Sequence, residues 1–316
     1  MDFSAALPTF VITLREGVEA ALVVGIVLAC LKKAKAEQLN LWVFAGVVAG
    51  IVASALVGIL FNWGIQVVST TYPEYAPVIK PLMEAVFGVI AIALLSWMLI
   101  WMTQQARSLK GEIEGNVSSA IQQGTNAGWG VFGLIFIAVL REGFVTVVFI
   151  IANLQQGLMP VLGAIGGLIG AVIIGVLLFQ WGVKINIRQF FQVMGVLLLL
   201  IVAGLVVGAL KNFDRAAAAL AQMNAQYEAL CFYYDHFAQN PSCFLGSMVW
   251  DTTSVLPDNK FPGVVLKALF GYRSKLYLIQ AVAYLVFLFT IGSIYFNSLS
   301  VPTGKSVKPE QSVQNK

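Results

Sequence analysis

Apolar residues in this chain fall into long runs separated by polar loops, a pattern that predicts membrane-spanning helices rather than the alternating or amphipathic elements of a soluble fold. A helix of about 20 residues crosses a bilayer. Seven runs reach that length: Phe10 to Leu31, Leu41 to Val68, Leu82 to Met102, Gly128 to Ala152, Val161 to Val183, Phe190 to Leu210 and Leu276 to Phe296. Small residues recur at every fourth position of the second run, at Gly46, Gly50, Ser54 and Gly58, and form similar pairs in the fifth, at Gly163, Gly166, Gly167 and Gly170. That spacing lets helix backbones approach closely in lipid.

Two of the runs are interrupted by charge. Leu-Arg-Glu-Gly occurs at Leu14–Gly17 in the first and again at Leu140–Gly143 in the fourth. An ionisable side chain at the bilayer centre costs roughly 2.5–3.5 kcal/mol on insertion scales, so such residues usually face a protein interior and serve function. The triplet recurs three helices later. Three crossings is an odd number, so the first and fourth helices run in opposite directions and the repeat is inverted. The third helix of each half aligns more loosely, Met83-Glu84-Ala85-Val86-Phe87-Gly88 against Phe191-Gln192-Val193-Met194-Gly195, which sets Glu84 against Gln192. The fold expected is therefore an all-α polytopic membrane protein, with seven transmembrane helices arranged as two inverted three-helix repeats plus one.

Composition agrees, with 59% hydrophobic and 11% charged residues, where a soluble domain carries about a quarter charged residues. The net charge of +4 is no nucleic-acid signature, because the basic residues fall mostly in short loops between apolar runs. Lys32, Lys33 and Lys35 follow the first run, Arg107 and Lys110 the third, Lys184 and Arg188 the fifth, and Lys305, Lys308 and Lys316 the seventh. The positive-inside rule puts the N-terminus outside and the C-terminus inside. The first run lacks a basic region before it and carries three charges, so it reads as a retained helix rather than a cleaved signal.

The expected organisation is a first three-helix repeat over 1–105, a cytoplasmic loop over 106–127, a second repeat over 128–210, an extracytoplasmic segment over 211–275, the seventh helix over 276–300 and a disordered cytoplasmic tail over 301–316. Within the outer segment, Ala216 to Leu230 has the composition of a separate amphipathic helix. Cys231 and Cys243 share this oxidising compartment, and sequence leaves their pairing open. Tyr233, Tyr234, Asp235 and His236, the sole histidine, offer weak outer metal ligands.

Glu16 and Glu19 lie three residues apart, about 60° around a helix, so both face one cavity; Arg15 is four from Glu19 and can pair with it. With Glu142 from the fourth helix, and Glu84 if it reaches the same place, the cavity holds excess negative charge. Hard carboxylate oxygens suit a metal cation. The expected metal residues are Glu16, Glu19, Glu142 and Glu84, supported by Arg15 and Arg141. Trp97, Met98, Trp101 and Met102 near the inner end of the third run read as interfacial anchors rather than a soft-metal stripe. A retinal photoreceptor needs a Schiff-base lysine in its last helix, and Leu276 to Phe296 has none. An intramembrane metalloenzyme would need a His-Glu-x-x-His pair that a single histidine cannot supply.

At these residues the chain resembles the high-affinity iron permeases, the oxidase-dependent iron/lead transporter family of bacteria and fungi. Arg15-Glu16-Gly17-Val18-Glu19 is similar to that family's Arg-Glu-x-x-Glu motif, and the likeness continues through Met83-Glu84, Trp97-Met98, Leu140 to Phe144 and Leu266 to Tyr272. The resemblance implies a non-enzymatic permease of the cell membrane, in a bacterial-type member the inner membrane. Iron would be transported substrate with no tightly bound cofactor, and partners would include an extracytoplasmic ferroxidase or periplasmic iron-handling proteins. Two positions depart from the pattern: Val145 stands where the second motif has its second glutamate, and Lys267 where relatives often carry an acidic residue. Alternatives are a proton-coupled carrier of another metal cation or of a non-metal solute, or a member whose transport is impaired by Val145.

Overall fold

The apolar runs fold as long helices whose ends follow local signals. The computed structural model describes residues 6–71, 73–105, 115, 127–152, 158–179, 187–223, 231, 242–258 and 260–300. Helix α1 spans Ala6–Lys33, α2 Asn40–Thr71, α3 Ala76–Gln105, α4 Ala127–Ile151, α5 Met159–Phe179, α6 Ile187–Met223, a short α7 Gly263–Phe270 and α8 Leu278–Ser300. α1 ends where Lys35 takes a left-handed backbone (φ 54°), and the Ala36 N–H reaches back to the Leu31 carbonyl at 2.9 Å. Such a turn satisfies carbonyls left over at a helix end, and Lys32 and Lys33 in the last turn complement the helix dipole.

Six of these helices are long and apolar enough to cross a membrane. α1, at 28 residues, has the length, but Arg15, Glu16 and Glu19 in its middle and Lys32 and Lys33 at its end lower its apolar content. Large apolar side chains are exposed along α2 and α5, among them Leu41, Leu56, Ile59, Leu162, Ile165 and Val172. In water this would be an unstable surface; in lipid it is the solvent-facing one.

One expectation is corrected. α6 does not stop at Leu210 to be followed by a separate helix from Ala216; it continues unbroken to Met223. Residues 211–223 contain neither Gly nor Pro, and the alanine run 216–219 favours continuation. The described residues are mostly helical, as expected of an all-α polytopic membrane protein, with one small sheet besides. β1 (Met248–Asp251) pairs antiparallel with β2 (Lys275–Tyr277), with an irregularity between Met248 and Trp250. The inner loop with Arg107 and Lys110, the segment with Tyr233, Tyr234, Asp235 and His236, and the tail 301–316 lie outside the described residues.

The described part of the segment between α6 and α8 is tied to the helices by polar links. Cys231 and Cys243 form a disulfide, and Asp214 on α6 accepts the Phe244 N–H at 2.9 Å. The first two N–H groups of α8 donate to Ser247 and Leu245 carbonyls at 3.0 and 3.1 Å, which satisfies donors that a helix start leaves unpaired. Buried Gln280 ties α8 to α6 by donating to the Val207 carbonyl at 3.2 Å.

Within the helical body, α1 packs chiefly along α5, α2 along α4, and α3 along α6. Glycines set the first two contacts, and the two contacts match. A Cβ added at Gly17 would fall 2.5 Å from the Ala171 Cβ, and one at Gly143 would fall 2.6 Å from the Ser54 Cβ. Farther along, a Cβ at Gly167 would meet the Phe10 carbonyl oxygen at 2.7 Å, and one at Gly50 the Phe136 carbonyl oxygen at 3.2 Å. At the next step Gly175 faces Ala21 at 3.1 Å and Gly58 faces Val147 at 3.3 Å. The stripe Gly50, Ser54, Gly58 on α2 thus meets α4 as the stripe Gly167, Ala171, Gly175 on α5 meets α1.

Close backbone approach predicts the effect of added volume. Gly167→Val should lower the thermal midpoint of the detergent-solubilised protein, because overpacking costs about 1–3 kcal/mol. Gly133→Ala, where an added Cβ meets nothing within 4 Å, should leave the midpoint unchanged or raised. Equal midpoints for both variants, measured by fluorescence-detected melting, would contradict the packing.

Candidate metal centre

α1 and α4, each packed on its neighbour through glycines, also pack against each other and so bring the two Arg-Glu pairs to one place. Glu16, Glu19 and Glu142 each offer a carboxylate oxygen within 4.8 Å of the others. Arg15 and Glu16 are each only 1% exposed; the side chains of Glu19 and Glu142 are 14% and 12% exposed. The three-residue spacing within α1 puts Glu16 and Glu19 on one face, and the approach of α4 adds Glu142.

Arg15 is the cation of this cluster. Its Nη1 donates to Glu16 Oε1 at 2.8 Å, and its Nη2 lies 2.9 Å from Glu19 Oε1. The latter pair is close but poorly aligned, so it is an ion pair rather than a directed hydrogen bond. The guanidinium occupies one oxygen of Glu16 and leaves the other. Glu16 Oε2 and Glu142 Oε2 are buried with no donor from another residue among those described, and the two carboxyl groups lie close enough to share a proton. Buried polar atoms are nearly always satisfied, so two orphaned carboxylate oxygens in one cavity mark a place for a cation or a proton.

Arg141 behaves differently from its counterpart. Its side chain is 47% exposed and its Nε lies 3.5 Å from Glu142 Oε1, while its guanidinium carbon sits 4.7 Å from the centre of the Trp101 ring. The aromatic face holds the cation at the edge of the cluster. Trp101 therefore does more than anchor an interface, and Met98 is no interfacial anchor. Met98 is buried, with its sulfur 3.8 Å from Arg15 Nη1. Both contacts join residues far apart in sequence, and no local pattern signals them. Trp97 is exposed, as an anchor would be.

Glu84 is buried but stands apart from the three-carboxylate group. It lines a cavity with the C-terminal part of α6, where Asn212 Nδ2 donates to its Oε2 at 3.3 Å. Val145, the position without a motif glutamate, is buried in an apolar cluster with Val11, Ile12, Leu95, Leu99 and Phe149. Valine suits that neighbourhood.

Long apolar helices around a buried carboxylate cluster define an integral multi-pass membrane protein with the means to handle a cation. The sequence matches the iron permease FTR1 family over residues 6–296. It is 48% identical over 315 residues to an uncharacterized protein of Synechocystis, covering 99% of each chain. It is 30% identical to the ferrous iron permease EfeU of Yersinia pseudotuberculosis, covering 93% of each. Against EfeU of Escherichia coli O6:K15:H31 the identity is 31%, over 88% of this chain and 91% of the relative. No solved structure matches the chain. The chain belongs to the iron permease FTR1 family, and it resides in a bacterial membrane with iron ions as its transported substrate.

The two arginines should differ in their effect on stability. Arg15→Gln leaves buried carboxylates without their cation and should cost roughly 3–5 kcal/mol, as broken buried pairs do. Arg141→Gln, half-exposed, should cost far less. Thermal melting of the two purified variants checks the order, and an equal or reversed order would contradict this account of Arg15.

Proposed function

We propose that the chain imports ferrous iron through a site made by Glu16, Glu19 and Glu142, at the meeting of two inverted three-helix halves, α1–α3 and α4–α6, with α1 as a true span and α8 as the seventh. The observation that carries this reading is the pair of buried, unpartnered oxygens on Glu16 and Glu142 within a three-carboxylate group. Three carboxylates against the buried Arg15 leave two formal negative charges, with Arg141 at the edge. A divalent cation offsets them. The relatives named ferrous iron permeases point to the same oxidation state.

Support for the inverted halves comes from matched glycine contacts, in which α1 meets α5 as α4 meets α2. Inverted-repeat transporters hold substrate near the midplane, where the halves meet. In this reading Arg15 positions Glu16 and Glu19 and compensates their charge when the site is empty. An entering ion takes up the oxygens that Arg15 leaves, and Glu142 completes the set from the other half. Iron is cargo here, with no resident cofactor. A ferrous cargo needs no oxidation before entry, so periplasmic iron-handling proteins fit as partners better than a ferroxidase. A carrier of another cation remains the second reading, because carboxylates alone do not select iron.

Glu16→Gln, Glu19→Gln and Glu142→Gln should each abolish uptake of radioactive iron, kept reduced, in an uptake-deficient host, at unchanged membrane abundance. Glu84→Gln should retain uptake. Undiminished uptake in the first three variants would sink the proposal.

A further inference from the structure

Met98 of α3 reaches the carboxylate cluster from a third side, and the import site described above gives it no part. It is 4% exposed, and its sulfur lies 3.8 Å from Arg15 Nη1, the same nitrogen that donates to Glu16 Oε1 at 2.8 Å. One guanidinium nitrogen thus joins the thioether to the carboxylate. Trp101, three residues on and so about 60° around the helix, lies against Arg141, whose Nε is 3.5 Å from Glu142 Oε1. Two neighbouring positions on one face of α3 therefore meet the arginines of both motifs. That face looks onto the cluster.

A plain hydrocarbon would fill the Met98 position as well. Leu95 and Leu99, buried on either side of it along α3, belong to the apolar cluster of Ile12 and Val145, and leucine replaces methionine at little cost in a packed interior. What leucine lacks is the sulfur, a polarisable atom on a side chain with three rotatable bonds. The contact with Arg15 holds that sulfur only loosely, because a thioether is a weak acceptor.

Carboxylate oxygens suit magnesium, calcium and manganese, so alone they do not single out iron, whereas thioether sulfur favours softer ions. We propose that the Met98 sulfur joins the carboxylate oxygens of Glu16, Glu19 and Glu142 as a soft ligand to the passing ion, and so selects ferrous iron against hard divalent cations. The proposal rests on the import site argued above and deepens it: the three carboxylates set the charge of the cargo, and the thioether sets its softness. The turn from Arg15 toward the ion uses the side chain's own torsions.

Cadmium and calcium test the claim without iron, because these divalent ions are close in radius and differ in softness. Each is titrated by calorimetry into the full chain in nanodiscs of neutral lipid. Wild type should bind cadmium more tightly than calcium; Met98→Leu should weaken cadmium roughly tenfold and leave calcium unchanged. In an uptake-deficient host the same variant should raise the KM for ferrous iron and make calcium a better competitor. X-ray absorption at the iron edge of the ferrous-loaded wild type should show a sulfur neighbour that Met98→Leu lacks. If Met98 only steadied Arg15, both cations would weaken equally and iron would have no sulfur neighbour; either result, or unchanged cadmium affinity in Met98→Leu, would overturn the proposal and leave the import site standing. If neither ion bound the wild type, or Glu16→Gln bound both as the wild type does, the carboxylate site itself would fall and this inference with it.

Discussion

The rest of the structure depends on keeping charge inside an apolar body. Arg15 and Glu16 are almost wholly buried, and in a bilayer neither could stay there alone. Each is kept by the other, by Glu19 and by helices close enough to exclude lipid. The small residues of α2 and α5 make that closeness possible, because no side chain intervenes where Gly167 meets the Phe10 backbone or Gly143 meets Ser54. The glycine following each Arg-Glu pair is thus part of the same device. It brings the neighbouring helix to the charged residue and closes the cavity around it.

The two copies of the motif have diverged within a shared framework. On α1 the arginine is buried, satisfies two glutamates and touches the Met98 sulfur. On α4 the arginine leans outward over Trp101, and the position of a second glutamate is Val145, packed among apolar neighbours. α1 contributes two of the three clustered carboxylates and α4 contributes Glu142.

Much of this was legible in the amino-acid sequence, because lipid imposes simple rules. Apolar length predicts the helices, and charge within such length predicts a buried polar cluster, so Arg15, Glu16, Glu19 and Glu142 could be named in advance as its members. What could not be read depends on distant contacts or on the absence of a stop signal. Met98 and Trp101 look like ordinary interfacial residues until folding sets them against the two arginines. Glu84 carries the same chemistry as the other glutamates, yet its helix delivers it to Asn212 and a different cavity. α6 runs on past Leu210 because polar residues alone do not end a helix. The pairing of β1 with β2 joins segments separated by α7 and has no hairpin signature to announce it.

The most direct test of the central claim is to locate the metal. Crystals of the full chain soaked with ferrous ion under reductant, measured at the iron absorption edge, should show an anomalous peak among Glu16, Glu19 and Glu142, with carboxylate oxygens as its protein ligands. Iron bound only beside Glu84, or no iron at the three carboxylates under conditions that support transport, would contradict it.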